Sequence, residues 1–136
     1  MNVYLDSSAL LRVILGEPDA LAAWPRITKP ISSELIRVEC LRTIDRARVR
    51  VSLDDTEIAR LRSELLEAID HFTLVQLGRG ILDRASDPFP TMVGTLDAIH
   101  LSSADLARHH LDDLAFATHD RELGVAAQAI GFEVLT

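Results

Sequence analysis

Asn2-Val3-Tyr4-Leu5-Asp6-Ser7-Ser8-Ala9-Leu10 reads as a short strand running straight into a helix. Val3, Tyr4 and Leu5 are apolar without alternation, the pattern of a central strand buried on both faces of a parallel sheet. Asp6 closes that strand. Ser7 or Ser8 can cap a helix over Ala9 to Leu15, which Gly16 stops. Proline suits a first helical turn, so Pro18 predicts a second helix through Trp24, ended near Pro25. Lys29 to Ser32 reads as another brief strand. Ser32 or Ser33 then caps a long helix from Glu34 to Arg48.

Further along, Leu53-Asp54-Asp55-Thr56 starts a helix with Ile58, Leu61, Leu65 and Ile69 on one side. His71 to Leu77 is β-branched enough for a strand. A short helix from Ile81 to Ala85 leads to Asp87-Pro88-Phe89-Pro90, a rigid loop. A helix over Asp97 to His110, a strand over Leu114 to Thr118, a helix over Arg121 to Ile130 and a strand over Phe132 to Leu135 complete the pattern. The alternation predicts one α/β domain over residues 1–136, a three-layer α/β/α sandwich with a central parallel sheet. Ligands of such sheets bind outside the carboxyl ends of the strands. Asp6 and Asp120 each occupy that edge.

The chain is 48% hydrophobic but only 4% aromatic, so its core should be aliphatic. No stretch approaches the roughly 18 uninterrupted apolar residues of a membrane helix. The first residues carry no basic region, so no signal peptide is expected, and the cytoplasm is the expected compartment. The lone Cys40 has no disulfide partner and is expected to behave as a small buried hydrophobe. A net charge of −7 opposes indiscriminate binding to phosphates. The cations are uneven, however. Arg37, Arg42, Arg46, Arg48 and Arg50 fall in one segment whose only acids are Glu39 and Asp45. Arginine grips phosphate through two donors at once.

The residues that carry chemistry are acids: Asp6, Glu39, Asp97 and Asp120. Asp6 can be a helix cap, or a ligand at the sheet edge oriented by Ser7 or Ser8. Glu39 falls between Leu35 and Ile36 in azimuth, inside the apolar arc of its helix. A carboxylate there needs a partner, since an unpaired buried charge is very costly. That partner is either a metal or an arginine, with Arg42 and Arg46 on roughly the same stripe. Asp97 and Asp120 both precede or open helices, where capping competes with ligation, and Thr118 stands two residues before Asp120. His100, one turn after Asp97, is expected to have a minor role.

Clustered carboxylates resist ionising together unless a cation is present. Hard oxygen ligands suit Mg²⁺ or Mn²⁺ rather than zinc. Such ions lower the pKa of bound water and neutralise phosphate oxygens, so a metal-dependent phosphodiesterase uses all four acids. No Ser-His-Asp or Cys-His arrangement competes, and neither a P-loop nor a Gly-rich dinucleotide fingerprint is present.

In four blocks the chain resembles the PIN-domain ribonucleases, specifically the VapC-type toxins of bacterial toxin–antitoxin pairs. The blocks are Val3-Tyr4-Leu5-Asp6-Ser7-Ser8-Ala9-Leu10, Ser33-Glu34-Leu35-Ile36-Arg37-Val38-Glu39, Asp97-Ala98-Ile99-His100-Leu101-Ser102-Ser103-Ala104 and Thr118-His119-Asp120-Arg121-Glu122-Leu123. They occur in family order and span nearly the whole chain. The resemblance implies a PIN-like fold with Asp6, Glu39, Asp97 and Asp120 as the catalytic Mg²⁺ or Mn²⁺ site. Ser7, Ser8 and Thr118 would support the acids, and Arg42 and Arg46 would hold RNA phosphates. The implied activity is endonucleolytic RNA cleavage by metal-activated water, leaving a 5′-phosphate. The implied partners are a second copy of the chain and a VapB-type antitoxin whose tail covers the toxin. Leu11, Leu15, Leu21 and Trp24 could line the groove for that tail, or belong to the core.

Three rivals keep a similar architecture. A signalling receiver domain also places acids at strand ends but calls for a late lysine, and the only lysine is Lys29. A haloacid-dehalogenase-like phosphatase wants a second Asp two residues after Asp6, where Ser8 stands. A PIN-like scaffold that binds RNA or a partner without cutting is the third.

Overall fold

The computed structural model describes residues 1–136. Five strands, β1 (Asn2–Leu5), β2 (Lys29–Ser33), β3 (Thr73–Val75), β4 (Ala115–Ala117) and β5 (Val134–Leu135), form one parallel sheet in the order β3-β2-β1-β4-β5. Six helices cover it: α1 (Ser7–Ile14), α2 (Leu35–Arg50), α3 (Asp55–Asp70), α4 (Arg79–Ser86), α5 (Thr95–Arg108) and α6 (Arg121–Ala129). The three-layer α/β/α sandwich is therefore present. No helix is long and apolar enough to cross a membrane.

Alternation along the strands explains why both faces need helices. Val3 and Leu5 of β1 join Ala115 and Ala117 of β4 in a cluster with Ala9, Leu21 and Ala23. Tyr4 and Phe116 belong to a separate cluster with Leu101 and Ala104 of α5 and Leu123 and Ala126 of α6. Cys40 lies in a third cluster, where Leu10 and Ile36 meet the apolar stripe of α3. Burial pushes the Cys40 thiol well above its ordinary range, as befits a packing residue. Leu65, fully buried in that stripe, fixes α3 against α2. Leu65→Ala should cost about 2–5 kcal/mol in urea unfolding. A loss below about 1 kcal/mol would show that this helix pair packs more loosely than described.

The helix expected over Pro18 to Trp24 does not form. A turn at Gly16, with φ of 65°, precedes irregular backbone and a short 3₁₀ turn over Trp24–Arg26. Leu21 and Ala23 are both buried in the sheet-facing cluster. Two residues apart, a helix would set them about 200° apart and expose one.

The strand order reverses at the centre. From β1 the chain steps outward through β2 to β3, then returns to β4 on the other side of β1 and continues to β5. The carboxyl ends of β1 and β4 thus flank the crevice where such sheets bind ligands. Asp6 follows β1, and Thr118 and Asp120 follow β4.

Candidate active site

Asp6 is only 4% exposed, so its carboxylate needs compensation. Its backbone N–H donates to the Ala117 carbonyl at 3.2 Å, fastening the end of β1 to β4. Oδ1 accepts from the Ala9 N–H at 2.9 Å, which makes Asp6 itself the cap of α1 in place of Ser7 or Ser8. Ser8 Oγ donates to Oδ1 at 2.8 Å, and Thr118 Oγ1 donates to Oδ2 at 2.9 Å. The two hydroxyls accept in turn from the His119 N–H at 2.8 Å and the Asp120 N–H at 3.0 Å. Three donors against about four lone-pair positions leave one for a cation. Burial pushes the Asp6 carboxyl up, and the Ala9, Ser8 and Thr118 bonds oppose that rise.

Glu39 reaches the site from α2 and is 19% exposed in its side chain. Neither arginine expected as its alternative partner touches it. Arg42 binds Asp45 at 3.1 Å and Arg46 binds Thr43 at 2.9 Å, both on the exposed side of the helix. Glu39 instead meets His100 Nε2 at 2.5 Å through Oε1, while Ser7 Oγ lies 3.4 Å from Oε2. Ser7 and Ser8 therefore divide the support of two acids between them.

Asp97 is the third residue of α5, not its cap. Gly94 takes the cap position with no side-chain bond, which leaves the Asp97 carboxylate uncommitted to capping. Burial pushes that carboxyl up, and the negative charges of Asp120, Asp6 and Glu39 push it further; His100 opposes them. All four acids therefore lie in one electrostatic field. Asp120 is exposed and caps α6 by accepting from the Leu123 N–H at 3.0 Å. Capping and clustering thus coincide at Asp6 and Asp120.

The donor set is entirely hard oxygen, and two of its carboxyls are raised, Asp6 by burial and Asp97 by burial and then by the neighbouring acids. That chemistry fits Mg²⁺ or Mn²⁺. As arranged, no three acidic, histidine or cysteine side chains converge tightly enough to hold one ion. Rotation of the exposed Asp120 and the half-buried Asp97 would have to close the set.

Two expectations about the surroundings change. Leu11 and Leu21 are buried core residues, so of the proposed tail-binding residues only Leu15 is well exposed and Trp24 partly so. His100 is no bystander: it is 1% exposed, with Nδ1 2.9 Å from the Tyr4 hydroxyl. One clue to that pairing was in the chain itself. Tyr4 is the only tyrosine, and it sits in the strand that ends at Asp6.

The PIN domain matches residues 3–128 of this parallel α/β/α sandwich, and the chain belongs to the PIN domain family. It is 35% identical to Ribonuclease VapC46 of Mycobacterium tuberculosis over 98% of this chain and 95% of that protein. Ribonuclease VapC47 of Mycobacterium tuberculosis is 30% identical over 96% of this chain and 93% of its own length. These relatives bear out the resemblance to VapC-type members. The crystal structure of PAE2754 from Pyrobaculum aerophilum superposes with a TM-score of 0.64 at 16% identity, covering 98% of this chain and 89% of that one. At that identity the likeness is one of fold.

Proposed function

We propose that the protein is a divalent-metal-dependent endoribonuclease and the toxin of a VapBC-type pair. The observation that carries this reading is the placement of Asp6 after β1 and Asp120 after β4, at the crevice where the strand order reverses, in a chain whose relatives are VapC ribonucleases. Asp6, Glu39, Asp97 and Asp120 would hold Mg²⁺, with Mn²⁺ able to substitute. A bound ion supplies Lewis acidity and an activated water at neutral pH. The chain's own part is positional. Ser8 and Thr118 hold Asp6 at the end of β1, and Ser7 supports Glu39.

Two open clefts lie near the site. One of about 490 Å³ is lined by Gly94, Thr95 and Ala98, around Asp97 but without it. Another of about 380 Å³ includes Thr118 and Asp120. An extended RNA strand could cross between them, with the exposed Arg42 and Arg46 as proposed phosphate contacts. A VapB-type antitoxin and a homodimeric toxin belong to the same proposal, drawn from the names of the relatives and from the family.

Purified protein should cut RNA with Mg²⁺ or Mn²⁺, leave 5′-phosphate ends on mapping, and stop when EDTA is added. A second reading, a PIN scaffold that binds RNA without cutting, draws on the incomplete convergence of the acids. RNA left intact by folded protein in both metals would decide for the scaffold.

A further inference from the structure

His100 joins two features that the proposed reaction leaves unexplained, a buried phenol and a buried imidazole. Its Nε2 lies 2.5 Å from Glu39 Oε1 and its Nδ1 lies 2.9 Å from the Tyr4 hydroxyl. An ionised carboxylate only accepts, so Nε2 carries a proton and donates it to Glu39. The Nδ1 contact with the Tyr4 hydroxyl is a hydrogen bond in either sense, the phenol donating to a bare nitrogen or accepting from a protonated one. The Ser33 backbone N–H donates to the Tyr4 oxygen at 3.0 Å. A continuous chain of hydrogen bonds thus joins the end of β2 to one oxygen of Glu39.

The core is built to hold this chain still. The Tyr4 ring meets His100 edge-on at 78° and 5.9 Å, and stacks on Phe116 at 20° and 5.2 Å. Phe116 in turn packs on Phe132 at 5.7 Å. With one Trp, one Tyr and four Phe in the chain, half of its scarce aromatics stand in one stack behind this histidine. Hydrophobic burial alone would not need a phenol there, because Phe would fill the same volume.

We infer that His100 is a positioning residue, held in place by Tyr4, that donates to Glu39 Oε1 and so leaves Oε2, beside Ser7, for a divalent cation. The inference rests on the metal-dependent reading above. Groups that orient a ligating carboxylate commonly matter about 10–100-fold in metal affinity.

Mn²⁺ affinity by calorimetry tests it, with thermal unfolding to establish that each variant folds. His100→Leu should weaken Mn²⁺ binding about 10–100-fold. His100→Gln, which keeps an amide donor toward Glu39, should recover most of that loss, and Tyr4→Phe should lose less than His100→Leu. In a Glu39→Gln background His100→Leu should bring no further loss, because its effect passes through that carboxylate. An equal loss in both backgrounds, or full affinity in folded His100→Leu or Tyr4→Phe, overturns the inference. Nitrogen-15 spectra of the wild-type protein provide a readout independent of metal: Nε2 should be protonated, as a donor to Glu39 must be. A bare Nε2 overturns the inference. A wild-type protein with Nε2 protonated but no Mn²⁺ binding would overturn the metal reading instead.

Discussion

Asp97→Asn is expected to raise the thermal midpoint of the metal-free protein while abolishing RNA cleavage. The native Asp97 carboxyl is raised by burial first, then by Asp120, Asp6 and Glu39. Asparagine removes the charge that these neighbours oppose and keeps the shape. Partial exposure and screening limit the gain to about 1 kcal/mol, a rise of about 2–5 °C for a chain of this size. Cleavage should fall by at least about a hundredfold, the upper end of what supporting groups alone cost. The pH dependence has a definite sign. Because the folded state holds this proton more readily than the unfolded chain, metal-free stability rises on acidification toward the ordinary carboxylate range and is lost as pH climbs through the raised value. Asp6 contributes with the same sign. His119 opposes them, since burial and then Arg12 push its imidazole down and acidification must charge it at a cost. Calorimetry in EDTA between neutral and mildly acidic pH should show a flatter profile for the variant than for the parent. A midpoint that drops on substitution would mean that the acids do not strain one another.

Asp6→Ala should abolish cleavage equally but with the opposite effect on folding. Three donors converge on this carboxylate: the Ala9 N–H, Ser8 Oγ and Thr118 Oγ1. Removing it deletes the cap of α1, worth about 0.5–2 kcal/mol. It also strands hydroxyls at a site with little water access, at about 1–3 kcal/mol. A combined destabilisation of about 2–4 kcal/mol in urea unfolding follows, allowing for some rescue by rotation of the hydroxyls. Equal stability of Asp6→Ala and the parent would contradict the bracing role given to Ser8 and Thr118. The pair of variants separates two duties: Asp97 is uncommitted to capping, whereas Asp6 also braces the end of β1 against Thr118.

Much of this was legible in the chain because each signal was local. The apolar run Val3 to Leu5, the period of Ile58, Leu61, Leu65 and Ile69, and the acids after β1 and β4 depend on neighbours a few residues away. Asp54 caps α3 through the Glu57 N–H, as a local motif should. What could not be read depends on packing between distant elements. Leu21 and Ala23 abandon helical spacing because both must reach the sheet. α5 starts at Thr95 behind Gly94, which turns Asp97 from a cap into an uncommitted carboxylate. Tyr4 finds His100 only because α5 covers the face to which Tyr4 points, and a single strand's alternation does not say which helix lies there. Glu39 was correctly expected to need a partner, but that partner came from across the fold rather than from its own helix.

The hydroxyl that braces the first acid is supplied 112 residues later in the chain. A polypeptide emerging from the ribosome therefore displays Asp6, Glu39 and Asp97 before β4 has been made, and closing so long a loop has its own entropic cost. On the proposed function, a translation product that stops before β4 would lack both Thr118, the brace of Asp6, and Asp120.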